Sequence, residues 1–248
     1  MKKLSLLFVA IIGFSVLSLA QESYTMFRTV YLTPDYENMQ DLGKAMAEYT
    51  QTYRNEAPSQ TGVWVVYTGP NTGKWFLTTG PTTFTQMDDI EYTDEQRDHW
   101  LSKVMPNVEE MSEGEFWRKD EDASHEKEDY FTGKEVLSFF GLKDFEEYRF
   151  KEMLKNVKKV YVDKGYENYY SVYYPQFKGC DKRDVVIVGL FDKWADFDQD
   201  RNFKADYEEV HGEGSWSKFM REYQDVVESN YDEMIFFVPE LSGGYEEE

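Results

Sequence analysis

Apolar positions along this chain alternate between two periods, and the changes of period divide it into short elements. Met39, Leu42, Met46, Tyr49 and Tyr53 recur three or four residues apart, as do Phe150, Met153, Leu154, Val157 and Tyr161. That spacing predicts two amphipathic helices, each with one face on a core. Strand patterns surround them. MFRTVYL (26–32), WVVYTGPNTGKWFL (64–77) and EFWRK (115–119) read as a strand, a hairpin and a strand. YFTGKEVLSFF (130–140), YYSVYYPQFKGCDKRDVVIVGLF (169–191) and EMIFFV (233–238) repeat that sequence of elements. Before each closing strand lies a further helical pattern. Leu101, Val104, Met105, Val108 and Met111 align at a constant offset of 115 with Trp216, Phe219, Met220, Tyr223 and Val226, and a Ser-Lys pair is shared in the same frame. Pro106 has no proline counterpart and is expected to kink the first of these helices.

The predicted order in each half is β-α-β-β-α-β, the ferredoxin-like unit, which places both helices on one face of an antiparallel sheet. Its strands are apolar on both faces: Val63, Val65 and Tyr67 against Trp64 and Val66, and the run VVIVGLF. Two-sided burial follows, so the two open faces are expected to pack together with the helices outside. At the end of each third strand, FTQMDD (84–89) and WADFDQ (194–199) share an aromatic-x-x-apolar-Asp motif at offset 110. With that motif and the two-fold element order, residues 24–240 resemble a fused, single-chain form of the dimeric α+β barrel superfamily. The resemblance implies an intramolecular α+β barrel that needs no second copy to close. Its members include cofactor-free monooxygenases, haem proteins related to chlorite dismutase, and small-ligand binders, so the fold does not by itself assign a function. The expected organisation is a signal peptide over 1–20, repeats over 21–120 and 130–242, a charged, solvated linker over 121–129, and an acidic tail over 243–248.

The ends and the charge place this unit. Lys2 and Lys3 precede an apolar run, Leu4 to Leu17, and Ser18-Leu19-Ala20 fits a signal-peptidase site. Cleavage there predicts a protein exported to the periplasm or the extracellular space, with no stable membrane insertion afterwards. Removing residues 1–20 takes away two lysines and no acids, leaving 228 residues and moving the net charge from −21 to −23. Such a charge argues against nucleic acid as a partner, and none is expected. Cys180 is the only cysteine, so no internal disulfide forms, and its place in a hairpin between Gly179 and Asp181 reads as an incidental surface position.

Candidate chemistry is sparse. Asp198, Asp200, Asn202, Asp206 and Glu209 stand at the spacing of a calcium loop, but Phe203 occupies the position that needs glycine. The offset of 110 makes the same stretch a strand-to-helix transition, with Trp194 and Phe197 packed inward and aspartates capping the coming helix. No metal site or cofactor is predicted. Of three histidines, His125 lies in the linker and reads as solvated, while His99 and His211 stand at related positions before the last helices. A haem ligand, if the resemblance extended that far, would be His211. No nucleophile motif or phosphate loop is present, and GPNTGK (69–74) is a hairpin turn. What remains is the aromatic set Trp64, Tyr67, Trp75, Tyr170, Tyr173 and Tyr174. It either shapes an interior for a small apolar or aromatic ligand or fills the space between the sheets. The leading expectation is a ligand-binding barrel without strong catalytic signals. The alternatives are a cofactor-independent monooxygenase-like enzyme and an interaction module of the cell envelope. A large interior cavity would favour the first two, and a packed interior the last.

Overall fold

The computed structural model describes residues 24–179, 181–199 and 201–245. The expected signal peptide and Cys180 lie outside these residues. Among the described residues are β1 (Met26–Pro34), α1 (Met39–Tyr53), β2 (Thr61–Val66), β3 (Trp75–Thr82), α2 (Phe84–Asp88), α3 (Asp94–His99), β4 (Val108–Met111) and β5 (Glu115–Lys119). They continue as β6 (Lys134–Leu142), α4 (Glu147–Lys164), β7 (Tyr170–Pro175), β8 (Val185–Leu190), α5 (Phe203–His211), α6 (Ser215–Val226) and β9 (Val227–Phe237). None of these helices is long and apolar enough to cross a membrane.

All the strands belong to one antiparallel sheet in the order β3-β2-β9-β6-β8-β7-β5-β1-β4, and β1 also pairs with β3, which closes the ring. Eight strand positions surround the barrel, because β5 and β4 follow one another along the same edge of β1. Residues 26–119 contribute the order β5-β1-β3-β2 and residues 134–237 the order β9-β6-β8-β7. The halves do not merely face each other across a dry interface, as two stacked sheets would. Their edges are hydrogen-bonded, Trp64 opposite Phe237 through Val66 opposite Ile235 on one side, and Trp117 opposite Pro175 through Lys119 opposite Tyr173 on the other.

Strand alternation then sends successive side chains to opposite sides of the barrel wall. Outside, Leu42, Met46 and Tyr49 of α1 pack on Val30, Leu32, Val63 and Trp75. Phe150, Met153 and Leu154 of α4 pack on Tyr170, Val172 and Val185 in the same way. Gly165 takes a left-handed conformation (φ 64°) and ends α4, with its N–H reaching the Tyr161 and Val162 carbonyls. Inside lies a third cluster that includes Tyr31, Trp64, Phe76, Trp117, Phe139 and Ile235.

Several local expectations fail for identifiable reasons. The helical pattern over 101–111 does not make one helix. A π-turn over Trp100–Val104 and a 3-10 turn over Met105–Asn107, with Pro106 inside it, end the helical run, and Val108–Met111 join the sheet as β4. Leu101 and Met111 are consequently exposed. The linker is not free in solvent: Ala123 and Ser124 are buried, and the His125 backbone bridges Tyr170 in both directions. The His125 ring stacks on Tyr169 and its Nε2 lies 3.0 Å from the Tyr166 carbonyl oxygen. Trp194 and Phe197 stay about half exposed, since they flank Phe191 outside the barrel rather than entering it.

One end of the barrel is plugged by a buried polar cluster. Glu233 is fully buried and accepts from the Tyr31 hydroxyl at 2.7 Å and from Asn71 Nδ2 at 2.7 Å. Tyr31→Phe removes one of these donors from a buried carboxyl group. It is expected to lower unfolding stability by about 1–3 kcal/mol, read as a reduced urea midpoint at unchanged slope.

Candidate functional site

The barrel interior is only partly filled. Tyr31, Val66, Ile235 and Glu233 occupy the plugged end, and the remainder is a cavity of about 770 Å³. Phe27 and Thr29 of β1, Trp64 of β2, Phe76 and Thr78 of β3, and Trp117 of β5 line it from the first half. Glu135, Leu137 and Phe139 of β6, Ser171 and Tyr173 of β7, and Val186, Val188 and Leu190 of β8 line it from the second. Residues 126–129 and 131, exposed to solvent, border the cavity, so its opening lies along the segment that joins the halves. An eight-stranded barrel has room either for its own side chains or for one small ligand. This one keeps the room.

Polar groups are few, and most are already engaged. Arg183 holds Glu115 at 3.0 Å and Asp181 at 2.5 Å and lies over the Tyr31 and Phe139 rings. Burial pushes the Glu115 carboxyl up, against the pull of Arg183. The Ser171 hydroxyl donates to Glu126, which is also bound by Lys119 at 2.9 Å. Trp64 Nε1 donates to Thr78 at 3.1 Å. The Thr29 hydroxyl is buried without a hydrogen-bond partner among the described residues.

Glu135 differs from the other acids. It lines the cavity, it is only partly exposed, and among the described residues no hydrogen bond or ion pair compensates it. Loss of solvation alone raises its pKa to about 8. The nearby Tyr173 phenol is driven well above its ordinary range, first by burial and then by the Glu135 charge. The ring of Tyr173 packs edge-on against Phe27, centroids 6.1 Å apart. An ionisable carboxyl group beside a phenol held protonated, in an aromatic hollow, is able to bind a hydrogen-bond donor or accept a proton.

Of the six aromatic residues singled out in the sequence, Trp64 and Tyr173 line this cavity. Trp75, Tyr170 and Tyr174 point outward into the helix–sheet cores. Tyr67 lies past the end of β2, about half exposed, against Phe236 and Trp194. Neighbouring aromatic residues on a strand cannot both face the interior, so TyrTyr at 173–174 had to divide. Glu135 was missed among the many acids, although a signal existed. It shares strand phase with Leu137 and Phe139, and a carboxylate on the apolar face of a strand is the exception that marks a site.

The acidic segment is not a calcium loop. Asp206 accepts from the Tyr166 hydroxyl at 2.5 Å and pairs with Lys164 at 3.2 Å, while Glu209 reaches the same lysine at 2.6 Å. Asp196 caps a 3-10 turn over Trp194–Asp198 by accepting from the Asp192 and Lys193 amides, and these bonds hold it below the usual carboxylate range. Asn202, at the start of α5, makes no side-chain cap; Asp200 lies outside the described residues. Among the described residues no group of three or more potential metal ligands converges. His211 sits on the outer α5 with Nε2 2.9 Å from the Asn156 carbonyl oxygen, and the buried His99 Nε2 is unpartnered between the Tyr49 and Tyr53 rings.

No protein-family model and no curated protein sequence matches the chain. Solved structures do. An anthrone oxidase-like protein superposes with a TM-score of 0.55 at 11% identity, covering 88% of this chain and 92% of its own. A monooxygenase candidate from Lactobacillus acidophilus NCFM gives 0.53 at 9% identity, covering 87% and 94%. Chlorite dismutase from Candidatus Nitrospira defluvii gives 0.53 at 8% identity, covering 87% and 92%. At these identities the common property is the fold, an α+β barrel. A haem with a histidine, cysteine or methionine ligand does not fit the cavity of this chain. Its described lining contains none of those residues, and Tyr173 is held protonated.

The raised Glu135 pKa makes a stability prediction. Between the ordinary value of 4.5 and about 8, the folded protein keeps a proton that the unfolded chain has released, so stability falls as pH rises through that window. Glu135→Gln is therefore expected to exceed the wild type by about 2–4 kcal/mol at alkaline pH. The advantage vanishes below the ordinary carboxylate pKa. Urea unfolding across the pH range measures it.

Proposed function

We propose that this protein is an exported, single-chain α+β barrel, built from two ferredoxin-like units, that binds one small, largely apolar or aromatic molecule in its interior. The hollow of about 770 Å³, walled by Phe27, Trp64, Phe76, Trp117, Phe139 and Tyr173, carries this reading. Ligand sites typically enclose about 300–1,000 Å³ and combine apolar walls with a few polar groups. A packed interior would instead have favoured an interaction module. The positive, apolar and small-residue pattern of residues 2–20 supports export. Closure of the sheet within one chain supports a monomer.

Two of the wall residues are tryptophans, so binding is directly observable. A naphthalene-sized neutral alcohol is expected to quench the fluorescence of Trp64 and Trp117 with a dissociation constant on the order of 10–100 µM. Val188→Trp, which fills the hollow from β8, is expected to weaken binding at least ~10-fold. Unchanged binding in that variant would place the probe elsewhere.

A second, catalytic reading rests on Glu135. An uncompensated carboxyl group facing the cavity is positioned as a general base, as a cofactor-independent, monooxygenase-like reaction on a weakly acidic aromatic substrate requires. The test is oxygen uptake with anthrone. A reaction that Glu135→Gln slows by roughly 10²–10⁴-fold supports the enzyme, whereas equal background rates leave the binder.

A further inference from the structure

We infer that the molecule held in the barrel is an organic cation, an amine with an apolar or aromatic body, whose ammonium group rests against Glu135. This inference deepens the binding reading and depends on it.

Three features of the cavity point to positive charge. First, its lining holds five carboxylates, Glu115, Glu126, Glu128, Asp129 and Glu135, against two cations, Lys127 and Arg183. Second, the positive groups are already occupied. Arg183 is committed to Glu115 and Asp181, and Lys127 lies near the Tyr130 and Tyr169 rings at the mouth, 5.7 and 5.9 Å from their centroids. An anionic ligand would find no free cation in the interior. Third, the group without a partner among the described residues is a carboxyl, and aromatic residues line the cavity with it. Trp64, Trp117 and Tyr173 present rings to the same space, and such faces attract a desolvated cation.

Among the described residues Glu135 has no partner, and a positive ligand would complete the arrangement. A buried carboxylate left unpaired is costly and tends to take up a proton. An ammonium within hydrogen-bonding distance restores its ionised form and compensates it, which a neutral molecule of the same shape does not. The chain's net charge of −21 acts in the same direction, raising the local concentration of cations at the acidic mouth formed by Glu126, Glu128 and Asp129.

Binding of a cation should also expel the Glu135 proton. The titratable groups facing Glu135 are the Tyr173 phenol of β7 and the Tyr245 phenol of the C-terminal segment, both raised by burial and by Glu135 itself. Neither loses a proton near neutrality. Glu115 of β5 and Arg183 line the same cavity but neutralise each other, while Glu126 of the joining segment is bound by Lys119.

The test uses three probes of one shape: 1-naphthylmethylamine, 1-naphthalenemethanol and 1-naphthoate. Titration calorimetry at neutral pH, in two buffers of different ionisation enthalpy, gives both affinity and protons released. The amine is expected to bind at least ~10-fold more tightly than the alcohol, with the naphthoate weakest, and to release more than half a proton per site. Glu135→Gln should reduce the preference for amine over alcohol to under ~3-fold and abolish the release, while Glu135→Asp keeps the preference. Circular dichroism confirms that both variants fold. If the alcohol binds as well as the amine, or the preference survives in Glu135→Gln, the cation inference is overturned and the binding reading stands. If no probe binds the wild type, the binding reading itself fails.

Discussion

The structure depends on hydrogen bonding between the edges of its two halves. A four-stranded sheet has two exposed edges, each a row of unpaired amides and carbonyls that invites association. Here β2 is sealed by β9 and β5 by β7, and with β1 paired to β3 no interruption remains in the ring. Closure is what makes the face opposite the helices an interior. Two stacked sheets would meet over a dry, interdigitated layer about 10 Å thick, with little room for anything else. A ring of eight tilted strands sets a radius, and that radius leaves a hollow wherever the side chains are too few or too small to fill it.

The two ends of that interior are used differently. At one, Tyr31, Glu233 and Asn71 form a satisfied buried network that excludes solvent. Toward the other, aromatic walls are interrupted by small residues, Thr29, Thr78 and Ser171, whose volumes do not meet across the axis. Glu135 projects into this hollow on β6, between Leu190 of β8 and Ile235 of β9 in the sheet. The contrast with Glu233 is informative. Glu233, fully buried, has two donors at 2.7 Å; Glu135, partly buried, has none among the described residues. Buried polar groups are ordinarily satisfied by the protein, as Glu233 is, and Glu135 departs from that rule among the described residues.

Much of this architecture was legible in the chain. The helix faces of Leu42, Met46 and Tyr49, and of Phe150, Met153 and Leu154, lie on the core as their spacing requires, and the α+β barrel class is the observed one. Legibility failed where local pattern and tertiary pairing compete. Val108 and Met111 continue a helical period, yet the backbone there pairs with Leu32–Pro34 of β1, because Pro106 has already disrupted the helix. The charged segment 121–129 looks solvated in composition, yet its backbone finds an unpaired partner at Tyr170. For the site, Trp64 and Tyr173 were among the aromatic residues named. Glu135 could have been found only by asking which acid breaks the apolar face of its own strand.

Period and polarity, which are properties of neighbouring residues, determined the two long helices α1 and α4 and the apolar faces of the central strands. They also determined that Tyr173 and Tyr174 must point in opposite directions. Which direction was inside, whether the interior would be full or hollow, and which of many carboxylates would lie there unpaired were decided by sheet closure. Those outcomes depend on distances between residues as far apart as Thr29, Glu135 and Val188, and no local pattern encodes the distance across a barrel.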